Sequence, residues 1–145
     1  MADRTRSSIT INAGTADVLA VIADFPRYPE WADGVKDAGV ESVDGEGRPE
    51  RVRFALDAGV IKDRYVLAYD WTADGVRWRM AEPGSVLAEL AGGYTLRGSG
   101  GRTEVEYELA ADIAIPLPGL VKRQAERRIV DTALKGLKRR VERGG

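Results

Sequence analysis

The chain has 145 residues, 43% apolar and 31% charged, with a formal net charge of −1. That length suits one domain, residues 1–145, able to bury its own core, and no apolar run approaches the roughly 20 residues a membrane-spanning helix needs. With no cysteine and no histidine, disulfides, thiolate or imidazole metal sites, cysteine nucleophiles and Ser-His-Asp hydrolysis are excluded.

The near-neutral balance hides a segregation of charge. Residues 122–143 hold nine Lys/Arg against three Asp/Glu, leaving thirteen against twenty elsewhere. The opening Met1 to Ser8 is polar and lacks the apolar middle of a secretory signal, which reads as a cytoplasmic protein.

Thr5 to Asn12 alternates, with Ile9 and Ile11 on one face, and reads as a half-buried strand. Gly14 ends it, Thr15 is placed to cap a helix, and Val18, Leu19 and Ile22 give that helix its apolar stripe. Pro26 and Pro29 interrupt any continuous helix from Asp24 to Trp31, so a bend and a second short helix ending near Gly34 are expected.

Turn signals then recur at Asp44-Gly45-Glu46-Gly47, Asp57-Ala58-Gly59, Asp74-Gly75, Pro83-Gly84 and Gly98-Ser99-Gly100-Gly101. Between them fall six short strands, at 35–43, 50–56, 62–71, 76–80, 86–96 and 103–115, the pattern of an antiparallel meander. After Ile115-Pro116-Leu117-Pro118-Gly119, the stretch Leu120 to Val141 is free of proline and carries Leu120, Val121, Ile129, Val130, Ala133, Leu134, Leu137 and Val141 at helical spacing. The fold class is α+β: a seven-stranded curved antiparallel sheet wrapped around a long C-terminal helix, with two short helices between strands 1 and 2.

A single sheet must curl around that helix to bury its stripe, and counting in twos tells which residues face it. Val52, Phe54 and Leu56, then Tyr65, Leu67, Tyr69 and Trp71, then Val76, Trp78 and Met80 fall inward. They are followed by Val86, Ala88, Leu90, Tyr94 and Leu96, and by Val105, Tyr107, Leu109 and Ile113. The alternates, among them Arg51, Arg53, Arg64, Asp70, Arg77, Arg79, Glu89, Arg97, Glu104, Glu106 and Glu108, make a solvated outer face.

Any one inward tyrosine could fill the core and reach the rim with its hydroxyl. Four of them with Trp78 are more polar tips than a structural core uses, and point to a cavity. Its candidate lining is Phe54, Leu56, Tyr65, Leu67, Tyr69, Trp78, Met80, Leu90, Tyr94 and Tyr107, with Leu120 and Gln124 from the helix. Tyr28 and Trp31, in the proline-bounded segment, form a candidate gate, a small satellite core being the alternative.

The segment Asp24-Phe25-Pro26-Arg27-Tyr28-Pro29-Glu30-Trp31, followed by Val35, resembles the turn after the first helix in the polyketide cyclase/dehydrase family of the START-like (SRPBCC, helix-grip) superfamily. The opening Ile9 to Ala13, the stretch Leu90 to Leu96, Thr103-Glu104-Val105 and the closing helix are similar too, in order and spacing over nearly the whole chain. The resemblance implies a deep cavity between sheet and helix for lipids, quinones, sterols, hormones or polyketides. In the aromatase/cyclases of that family, an arginine and tyrosines orient a poly-β-ketone. Here Tyr69 or its neighbours stand where the resemblance places the middle-strand arginine of those enzymes, and Arg64 falls on the outward register.

Three functions follow. The first is binding or transport of a hydrophobic small molecule, without cofactor or metal, contacted by Tyr65, Tyr69, Trp78, Tyr94 and Tyr107. The second is a cofactor-independent cyclase or dehydratase in which Asp57 or Asp63 is the base and a tyrosine the acid, although both aspartates read more simply as turn and edge charges. The third uses the basic helix, Lys122, Arg123, Arg127, Arg128, Lys135, Lys138, Arg139 and Arg140, as an interaction surface, with transient contact to an anionic membrane. No aromatic interleaves those cations, so no nucleic-acid partner is expected.

Overall fold

A computed structural model describes residues 4–57, 62–113 and 118–144. In chain order the elements are β1 (Arg4–Ile11), α1 (Thr15–Ala23), a 3-10 turn (Phe25–Glu30), β2 (Val35–Val43), β3 (Pro49–Asp57), β4 (Lys62–Thr72), β5 (Gly75–Glu82), β6 (Leu87–Ser99), β7 (Arg102–Ile113) and α2 (Gly119–Glu142). The strands form one sheet in the order β1-β7-β6-β5-β4-β3-β2, every neighbouring pair antiparallel. The expected α+β architecture is the one found. The turn expected over Ala58-Gly59 and the strand end and linker at Ile115-Pro116-Leu117 lie outside the described residues, as does the Ile113 side chain.

The concave face carries the core. Val52, Phe54, Tyr65, Leu67, Tyr69, Val76, Trp78, Leu90, Tyr94, Leu96, Val105, Tyr107 and Leu109 are all buried, as alternation requires. Against them pack Val18 and Ile22 of α1, Phe25 and Tyr28 of the 3-10 turn, and Val130, Leu134, Leu137 and Val141 of α2. Helix α2 lies across β1, β7 and α1.

Local departures from the sequence reading have physical causes. Thr15 does not cap α1: the N-cap is Gly14, in extended conformation and without a side-chain bond. The second helix is a 3-10 turn ending at Glu30, because Pro29 inside it removes a donor. In β6 the inward residue is Leu87, not Val86 or Ala88, since the ladder with β7 is irregular between Leu87 and Glu89 and flips the alternation there. Trp71 is only half-buried and donates its indole N–H to the Pro49 carbonyl at 2.7 Å.

Two outer carboxylates are not simple solvated charges. Glu108 is buried at 9% exposure and takes Arg4, Arg6 (2.9 Å) and Arg77 (3.7 Å) around it. Burial alone raises its pKa, yet the bonds from Arg4 and Arg6 hold it below the usual range. Asp63 accepts the backbone N–H groups of Ser85 (2.8 Å), Val86 (3.0 Å) and Leu87 (2.7 Å), tying the β5–β6 connection to β4. Its partial burial raises its pKa and these donors, outweighing that, hold it lowered.

A carboxyl depressed by folding stabilises above its unfolded pKa and loses that contribution as pH falls through its folded value. Asp63→Ala is therefore expected to lose about 2 kcal/mol near pH 7, the scale of lost bonds to a charged acceptor. The gap from wild type should hold above about pH 4 and close on further acidification. Urea titrations across that range check it; a gap independent of pH would show that the carboxylate is not what matters.

Candidate ligand cavity

Between the concave face and α2 lies a cavity of about 110 Å³. Its wall includes Phe54 and Leu56 of β3, Tyr65, Leu67 and Tyr69 of β4, Trp78 of β5, Leu87, Leu90 and Tyr94 of β6, and Tyr107, Leu109 and Ala111 of β7. Residues 28, 31, 32, 33 and 35 close one side, and Glu126, Ile129 and Ala133 of α2 the other. Tyr28 and Trp31, the two candidate gate residues, are both on this wall.

Three expected lining residues are elsewhere. Met80 is half-buried against the core beside the irregularity where Val66 faces Glu82 and Leu67 faces Met80, and it is not on the wall. Leu120 is 68% exposed, and Gln124 is exposed as well. At 3.6 residues per turn, Gln124 points about a third of a turn away from Val130, off the inward stripe.

Glu126 takes the place foreseen for them. It is 3% exposed, sits on the cavity wall, and has the Lys122 Nζ 3.8 Å from its Oε2. The signal was its spacing: Glu126 shares a helix face with Val130, Leu134, Leu137 and Val141. A carboxylate at a core position of an amphipathic helix is the informative exception to the pattern.

The rings form a continuous contact series. Phe25 meets Tyr28 and Tyr69 at 4.8 Å between centroids, Tyr28 meets Trp31 at 4.7 Å, and Trp78 meets Tyr94 and Tyr107 at 5.5 Å. Gly92 is inward on β6 between Leu90 and Tyr94, where a Cβ would come within 3.1 Å of the Trp78 ring and closer still to the Glu108 carbonyl oxygen. Its missing side chain leaves the room that the indole and the neighbouring β7 backbone occupy.

The Tyr28 hydroxyl donates to the Ile22 carbonyl at 2.5 Å. Among the described residues no group bonds the hydroxyls of Tyr65, Tyr69, Tyr94 or Tyr107, although all four side chains are buried. Burial pushes the pKa of each upward, so all are neutral hydroxyls at neutral pH, able to donate or accept. Asp63 and Asp57 are not on the wall; Asp57 lies at the end of β3, 3.9 Å from Lys62. No three His, Cys, Asp or Glu side chains gather as a metal-binding group among the described residues, nor is any described helix long and apolar enough to cross a membrane.

A curved antiparallel sheet gripping one long helix over an apolar cavity defines the START-like helix-grip class, and solved structures of that class superpose along the full chain. A START superfamily protein from Mycobacterium smegmatis aligns with a TM-score of 0.90 at 17% identity, covering 98% of this chain and 99% of its own. The Zhui aromatase/cyclase from Streptomyces sp. R1128 gives 0.82 at 16%, covering 99% and 95%, and a STAR-related lipid transfer protein fragment from Xanthomonas axonopodis 0.76 at 17%, covering 96% and 85%. No curated protein is significantly similar in sequence. Residues 2–142 match the profile of the family described as polyketide cyclase / dehydrase and lipid transport, and the chain belongs to that family.

The hydroxyls give a direct check on this wall. Tyr65→Phe and Tyr94→Phe are expected to change stability by less than about 0.5 kcal/mol, because no protein partner is lost, while Tyr28→Phe costs about 1 kcal/mol. Denaturant melts of the three variants measure it; equal losses would mean that the cavity hydroxyls are bonded within the protein.

Proposed function

We propose that this protein is a cytoplasmic carrier or sensor that binds one small hydrophobic molecule in the cavity between sheet and α2. The observation that carries the reading is the apolar wall bearing four tyrosine hydroxyls without protein partners. Such a wall offers burial for affinity and a few polar groups for orientation.

Size restricts the ligand. A water needs roughly 10–15 Å³ of such space, so 110 Å³ admits roughly seven to eleven waters' worth of ligand. That is the scale of one or two rings or a medium-length alkyl chain, below the roughly 300–1,000 Å³ of drug-sized pockets. Burying about 200 Å² of apolar surface is worth about 5 kcal/mol before the costs of immobilisation.

Binding is favoured over cyclisation. Family membership and the likeness to an aromatase/cyclase keep the second activity in view, but neither candidate aspartate reaches the wall, and tyrosines with raised pKa values are poor proton donors to a reacting carbon near neutral pH. A long poly-ketone chain also exceeds the volume. Of the wall's carboxylates, only Glu126 is buried.

Loading from a membrane fits the other end of the helix, where Leu120 projects into solvent near the exposed Arg123, Arg127 and Arg128. This pairing of an apolar residue with cations suits brief contact with an anionic surface.

Native mass spectrometry and organic extraction of protein purified from its own host test the main reading. A co-purifying apolar molecule near one per chain is expected, lost in Tyr69→Ala and Trp78→Ala variants that keep their circular dichroism; failure of the wild type to take up any ring compound or alkyl chain of this size sinks it. For loading, sedimentation with phosphatidylserine vesicles at low salt should carry down the wild type several-fold more than an Arg123→Gln/Arg127→Gln/Arg128→Gln variant. Equal sedimentation removes the membrane step.

A further inference from the structure

Trp31 and Asp33 border two hollows. One is the cavity; the other is a surface cleft of about 490 Å³ between the turn after Pro29 and the last turns of α2, where Arg139, Arg140 and Arg143 line it. On α2, Ala133 faces the cavity and Gly136, one turn later, faces the cleft. Arg140 lies about 10 Å beyond Ala133 along the axis. A Cβ at Gly136 would collide with the Trp31 carbonyl oxygen, so helix and turn meet backbone to backbone at the boundary between the two spaces.

The charges of the cleft are unevenly matched. Arg140 donates to Glu30 at 2.8 Å, and Glu30 also lies 3.5 Å from Arg27. Arg139 bonds only the Lys135 carbonyl, at 3.5 Å, and among the described residues neither Arg139 nor Arg143 has a carboxylate within ion-pair distance. Asp33 is exposed on the rim and is the one opposing charge not engaged by an arginine. A cation near a helix C-terminus offsets the dipole, but that explains one arginine in the last turn, not three converging on a cleft that shares a tryptophan with an apolar cavity.

We propose that the cleft is the head-group site for the ligand of the cavity, which is therefore an anionic amphiphile. Its apolar part lies among the tyrosines and its carboxylate or similar oxyanion on Arg139 and Arg143, and it crosses beside the Trp31 side chain and Asp33, which line both spaces, rather than through the Gly136–Trp31 backbone contact. Guanidinium forks match an oxyanion in geometry as well as in charge. This deepens the binding reading above and rests on it.

Decanoate and decan-1-ol, which share a chain and differ in head charge, are the probes. Titration calorimetry should show decanoate binding the wild type about tenfold more tightly than decan-1-ol at low salt, an advantage that shrinks in high salt because the arginines are exposed. The Arg139→Gln/Arg143→Gln variant, altered only at exposed positions, should lose that advantage while binding decan-1-ol unchanged. Asp33→Asn should widen it. Equal affinity of the wild type for both probes, or equal weakening of both in the arginine variant, overturns the head-group site and leaves the cavity reading standing. Binding of neither probe overturns the head-group site, and the cavity reading then rests on the co-purification and ring-compound tests above.

Discussion

One helix has to cover the concave face of seven strands, and it cannot cover all of it. The apolar residues that α2 buries, Val130, Leu134, Leu137 and Val141, run from its middle to its C-terminal end. Upstream of Val130 the buried residue is Glu126. The helix packs against β1, β7 and α1 with its C-terminal end tied to Thr10 and Asn12 by Lys138 and Glu142, while Glu126, Ile129 and Ala133 near its middle face the cavity as a thin wall. The cavity follows from that unequal packing, because a side chain of ordinary length from the upstream half does not fill the space the sheet encloses.

Aromatic rings compensate on the sheet side. They bring large area on few rotatable bonds, and tilted or edge-on contact keeps neighbouring rings apart at 4.7 to 6.5 Å between centroids. A wall built this way is stiff and does not collapse onto the helix as aliphatic chains would. The same series reaches the 3-10 turn through Phe25, Tyr28 and Trp31. Tyr28 is pinned there by its bond to Ile22, whereas Trp31 lies where turn, cavity and cleft meet.

The strands and most of the wall could be read from period-two alternation because one face of the sheet is buried and its residues are nearly all apolar or aromatic, with Thr103 a polar exception. That logic failed at Leu87, where an irregular ladder shifts the count by one, and an irregularity leaves no mark in hydrophobic pattern alone. It failed differently at Leu120 and Gln124. An amphipathic stripe gives the direction of a helix face but not how far along the helix its partner extends, and Gln124 lies off the stripe as well. Glu126 is legible by spacing, but a carboxylate on a basic helix reads as surface. Asp63 could not be placed by alternation at all, since its partners are backbone N–H groups of a connection more than twenty residues later.

The polar groups of the wall decide what the cavity is for. A hydroxyl stripped of water by an occupant that offers it no hydrogen bond costs about 1–3 kcal/mol, so four of them make the occupant's hydrogen-bonding groups matter as much as its area. Water satisfies them but gives up the apolar surface; a pure hydrocarbon takes the surface and strands the hydroxyls. A molecule with an apolar body and a few acceptors or donors meets both demands, and its polar pattern rather than its size sets the preference. Burial keeps the phenols neutral, so they bind without ionising. Glu126, entering from the helix beside Lys122, adds a buried carboxyl group to this wall. On the proposed binding reading, its position opposite the tyrosines would orient a bound molecule between sheet and helix, and orientation of that kind lets a small cavity discriminate among ligands of equal volume.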